Sequence, residues 1–182
     1  RITNLSLGSS SYSFSLIIAV FILAIAVGSY LVGIKKRISH ATLFVNQLLI
    51  TVLLLAVYLT LDSWPYYAHL IRILFQSTLA GFWGYYLFIL MGLTLLLILP
   101  VGLMGATIPL AFHEIKRDLA NVGKHSGFLF SWNTVGSLFG SLVGGILLFY
   151  ILSSGKIFLV ATLLAALSTL LAGRFLNRKY RI

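Results

Sequence analysis

Apolar residues run almost unbroken through five stretches of this chain, and the polar residues gather between them. A helix needs about 20 such residues to cross roughly 30 Å of hydrocarbon, so each stretch is long enough to span a bilayer. The pattern predicts spans over about 12–34, 41–61, 85–112, 126–152 and 157–173. Residues 62–84 are too polar to cross. Within them, Tyr66 to Leu79 sets His69, Arg72 and Gln76 at i, i+3 and i+7, with Leu70, Ile71, Ile73, Leu74 and Phe75 filling the rest of the wheel. That spacing predicts a short amphipathic helix in the outer interface, at about 66–79. Trp64, Tyr66, Tyr67 and Trp83 flank it, where aromatic belts sit. A packed loop covering the bundle is the plainer alternative.

Composition agrees with a lipid solvent. Of 182 residues 60% are apolar or aromatic and 9% are charged, against about 25% charged in a soluble domain. Disorder is excluded, because it requires low hydrophobicity. The expected fold class is therefore an all-α integral membrane protein. Residues 1–182 form one domain of five transmembrane helices plus the interfacial one.

Charge then sets an orientation. Thirteen Lys and Arg face three acids, a surplus that in a soluble protein would suggest nucleic acid. Here the positives lie in clusters between apolar runs, so no nucleic-acid partner is expected. Lys35, Lys36, Arg37, Lys116, Arg117, Lys124, Arg174, Arg178, Lys179 and Arg181 fall on one side, and only Arg1, Arg72 and Lys156 on the other. Ten against three places the first side in the cytoplasm of a cell (inner) membrane, with the N-terminus outside and the C-terminus inside. No charged region and cleavage site precede the first apolar run, so the expectation is a removed start or a longer parent polypeptide.

Candidate chemistry is sparse. Gly136, Gly140 and Gly144 recur every four residues beside Ser137, Ser141 and Gly145, a stripe that lets another helix backbone approach closely. Packing within the chain, a partner helix and a sliding surface in a transporter all use such a stripe. In the third span, Pro100 and Pro109 bracket Gly102 and Gly105. A proline lacks an N–H and clashes with the carbonyl four residues back, so this run predicts a kink or a broken helix lining a cavity. Asn46 and Gln47 begin the second span, and Asn133 with Thr134 lies about two turns into the fourth. Each amide should face the bundle, because an unpaired amide in hydrocarbon is costly.

Catalytic and cofactor chemistry find little footing. Asp62, Glu114 and Asp118 all sit at predicted interfaces, leaving no mid-membrane carboxylate for a proton or cation path. His40, His113 and His125 lie near the inner boundary and His69 outside, too near the ends for a haem between helices. Cysteine is absent, which removes thiolate metal sites and disulfides. No catalytic residues, metal site or cofactor are expected on this chain.

Several short motifs resemble a known family. Leu7-Gly8-Ser9-Ser10-Ser11-Tyr12-Ser13-Phe14, Gly28-Ser29-Tyr30-Leu31-Val32-Gly33 with its basic turn, the Pro100–Pro109 run and Gly127 to Gly136 are similar to the membrane region of fused spermidine synthase-like proteins. The glycine ladder and Gly155 fit the same pattern. The resemblance implies a bundle likened to half of a major-facilitator carrier, an earlier helix ahead of Arg1, and a soluble aminopropyltransferase-like domain. With three acids this chain cannot build that domain's acidic pocket, so polyamine synthesis does not carry over. The expected function is a non-catalytic membrane module that anchors or assembles with a synthase-like domain or other membrane subunits. The alternative is half of a small-solute transporter, with polyamines among the candidate solutes.

Overall fold

The computed structural model describes residues 11–35, 38–39, 41–75, 79–115 and 122–179. Of these 95% are helical, and none lies in a strand. Helix α1 runs Ser11–Gly33 and α2 Ala41–Thr60; a 3-10 turn, Leu61–Ser63, leads into α3, Trp64–Ile73. Then come α4 (Leu79–Ile115), α5 (Val122–Phe139), a π-helical stretch (Gly140–Leu147), α6 (Leu148–Ile151) and α7 (Ser154–Lys179). Among the described residues, five helical segments are long and apolar enough to cross a membrane. Arg1, Lys36, Arg37, His40, Gln76, Lys116, Arg117, Asp118 and Arg181 fall outside the described residues.

Two boundaries differ from the pattern for a physical reason. Helix α4 begins at Leu79 rather than near 85, because Gly81 and Gly84 sit among Phe82, Trp83, Tyr85 and Tyr86, whose rings pack on one another. Helix α7 continues to Lys179. Charged residues end an apolar run without ending a helix, since Arg and Lys are good helix formers. The helix after the second span is shorter than 66–79, stopping at Ile73.

Packing organises the helices unequally. The most extensive contact is between α1 and α4; α2 packs on both α7 and α4. Val20, Ala24, Gly28 and Val32 repeat every four residues along α1, and Val20, Ala24 and Val32 are buried. Val20 clusters with Ile89 and Leu93 near one end, and Val32 clusters with Ala106 and Leu110 near the other. The two helices therefore run parallel. Helices α2 and α7 run antiparallel, with Tyr58 stacked on Phe158 at one end and Phe44 against Gly173 at the other. This topology brings Lys35 and Arg174 to the same end of the bundle. The α5–α6 span stands apart, touching α4 lightly, with every residue of 131–140 exposed.

Candidate functional site

Two helix backbones approach closely where α1 crosses α4. A Cβ on Gly28 would overlap the Gly102 carbonyl, and one on Gly105 would lie 2.5 Å from the Ile25 carbonyl oxygen. Only glycine fits, since neither backbone can move aside as a flexible side chain could. The signal was present as Ala24-x-x-x-Gly28 on one helix and Gly102-x-x-x-Ala106 on the other, the small-x-x-x-small spacing that brings membrane helices together. The more regular Gly136, Gly140 and Gly144 meet nothing: a Cβ on any of them has no neighbour within 4 Å.

Pro100, Gly105 and Pro109 sit inside one continuous helix, Leu79–Ile115, with no unwound turn. A proline at 109 removes the N–H that would bond the carbonyl of Gly105. That orphaned oxygen accepts a hydrogen bond from Ser29 Oγ at 2.8 Å. The α1 hydroxyl thus takes over from the missing amide, at the crossing where Gly105 admits α1 closely enough to reach. Gly105 and Pro109 act together as a docking point for Ser29.

On the other side of α4, a polar network joins α2, α4 and α7. Asn46 is buried and its Nδ2 donates to the Leu103 carbonyl at 3.0 Å and to Thr107 Oγ1 at 3.2 Å. Gln47 Nε2 donates to the same hydroxyl at 3.3 Å and its Oε1 accepts from Ser168 Oγ at 2.9 Å. Thr107 in turn donates to Leu103 O, so this one hydroxyl uses its proton and both lone pairs. Thr51 and Thr169 Oγ1 lie 3.0 Å apart, and each also reaches its own helix backbone, at Gln47 O and Ala165 O. Two protons serve three bonds there, so one backbone bond yields whenever the two hydroxyls pair. Thr51, Thr107, Ser168 and Thr169 escaped sequence reasoning, because a hydroxyl on an apolar helix usually bonds its own backbone four residues back.

Asn133 lies elsewhere. It is exposed on α5, and no described residue hydrogen bonds to its amide. Thr134 donates to Phe130 O within its own helix at 2.9 Å. Sequence reasoning treated Asn46 and Asn133 alike; the structure draws the first into the bundle and leaves the second on an open face. Among the described residues no three His, Asp or Glu side chains come together as a metal site would require. No protein-family model matches the chain, and no curated protein or solved structure matches it.

Proposed function

We propose that this chain is a non-catalytic integral-membrane module, in which α1, α2, α4 and α7 form the anchor and the α5–α6 span receives another membrane helix or subunit. The lipid bilayer surrounds the bundle, with the Lys35 and Arg174 end cytoplasmic, the N-terminus outside, and α3 at the outer interface of a cell (inner) membrane. One contrast carries the reading: the anchor's amides, Asn46 and Gln47, bond the Leu103 carbonyl and the Thr107 and Ser168 hydroxyls of neighbouring helices, whereas residues 131–140 are all exposed with Asn133 among them. In hydrocarbon a bare amide and a face of small residues both favour a helix partner over lipid. The resemblance to spermidine synthase-like fusion proteins adds a cytoplasmic synthase-like domain as a partner for the basic end.

A photoreactive amino acid at Ser137, compared with one at Leu99 on the exposed side of α4, tests this in the native host membrane. The proposal expects protein adducts from position 137 and lipid adducts from position 99. Lipid adducts at both positions would remove the assembly reading. The transporter alternative draws less support, since α4 passes both prolines unbroken. Solute uptake lost in Asn133→Leu with assembly intact would restore it.

A further inference from the structure

Helix α3 carries two apolar faces, and the bundle uses one of them. Trp64, Ala68 and Ile71 are spaced i, i+4, i+7 and so share a face. Ala68 is 8% exposed, and Ile71 packs on the cluster of Val20, Ile89 and Leu93. Phe75, just beyond the helix, continues that side: its ring lies 5.8 Å from that of Tyr85 and 6.1 Å from that of Phe88. Gly84 leaves room for it, since a Cβ there would stand 3.2 Å from Phe75 Cε1. Tyr66, Leu70 and Ile73 form a second face with the same spacing, turned away from the bundle and 63%, 42% and 65% exposed. Tyr67 and Leu74 border it, while exposed His69 and Arg72 occupy the polar arc between the two faces.

The connection from α2 identifies what meets the second face. Helix α2 has 20 residues, Ala41–Thr60, about 30 Å at 1.5 Å per residue, which matches roughly 30 Å of hydrocarbon. The turn Leu61–Ser63 passes directly into α3, so α3 lies where the α2 span ends. An amphipathic helix there, with tyrosines beside aliphatic residues and a cation on its polar arc, fits the boundary between headgroups and acyl chains.

We infer that the Tyr66–Leu70–Ile73 face of α3 binds the outer-leaflet lipid surface, so that α3 braces α4 against the bilayer through Phe75. This rests on the membrane reading above and specifies which side of α3 the lipid takes. The chain has no cysteine, so single nitroxide labels can be placed without background. The full chain, labelled in turn at Leu70→Cys, Ile73→Cys, His69→Cys and Arg72→Cys, is reconstituted in phosphatidylethanolamine–phosphatidylglycerol vesicles. Labels at Leu99→Cys and Leu163→Cys report the spans. Positions 70 and 73 are expected to be open to oxygen and several-fold less open to an aqueous nickel complex than 69 and 72. Equal nickel access at all four, with 99 and 163 still lipid-like, would overturn the inference and leave the membrane reading standing. Immobile labels at 70 and 73 closed to both reagents would mean a protein covers the face, and would also overturn it. Water access at 99 and 163 would bring down the membrane reading and this inference with it.

Discussion

Two glycine-rich stretches of this chain look alike as text and differ in what they do. At the α1–α4 crossing, Gly28 and Gly105 meet backbone so closely that even a methyl group is shut out, and Gly102 faces the Ala24 carbonyl. Along α5 and the π-helical stretch, Gly136, Gly140 and Gly144 meet nothing within the chain. The difference comes from what accompanies each stripe. Around Gly28 the stripe continues into buried Ala24 and into Val20 and Val32, which pack with Ile89 and Leu93 and with Ala106 and Leu110, so close approach is followed by aliphatic contact. The α5 stripe runs beside Asn133, Ser137 and Ser141, which fill little space and offer few aliphatic atoms for dispersion contact.

The sharpest way to break this comparison is to enlarge a glycine at the crossing. Gly28→Leu is expected to prevent α1 from docking, costing more than the roughly 1–3 kcal/mol of ordinary overpacking because the obstacle is backbone. Thermal unfolding in detergent would show a large drop in midpoint, and an unchanged midpoint would contradict the crossing. Thr107→Val comes next. It deprives Asn46 and Gln47 of a shared acceptor, and at about 0.6–1.7 kcal/mol for a hydrogen bond between membrane helices the loss should be about 1–2 kcal/mol.

A smaller and more specific effect concerns Ser29. Ser29→Ala should cost about 1 kcal/mol in the natural background, and much less beside Pro109→Ala, where the restored N–H supplies the bond to Gly105 O. A double-mutant cycle reads the coupling directly, and additive effects would show that Ser29 does not substitute for the missing amide. The smallest effect is expected at Gly140→Ala. With no neighbour near its Cβ, the isolated chain should be unchanged or slightly stabilised by the better helix former, while adduct formation with a partner at Ser137 falls.

Much of the architecture was legible because a long apolar helix is a one-dimensional pattern in the sequence. The five apolar runs match the helices to within a few residues at most ends, and the larger errors at 79 and 179 arise where aromatic packing or charged helix formers extend a helix past its apolar window. The contact partners were far less legible. Gly136, Gly140 and Gly144 form the tidiest spacing, yet a spacing records only that a backbone can approach, not which backbone does. Asn46 and Asn133 have the same chemistry in similar apolar settings, and what separates them is a neighbouring helix that offers Asn46 the Leu103 carbonyl and the Thr107 hydroxyl. The Ser29–Gly105 bond was hidden for another reason. Its cause, the proline at 109, is visible in the text, but its remedy, Ser29, sits 76 residues along the chain from Gly105.

The most direct test of this division between a locked crossing and an open span is disulfide formation in the intact, membrane-embedded chain. Val32→Cys paired with Ala106→Cys should cross-link readily under mild oxidation, since both side chains belong to one buried cluster. Gly140→Cys paired with Val32→Cys should give no intramolecular bond. Efficient closure of the second pair and failure of the first would contradict the account.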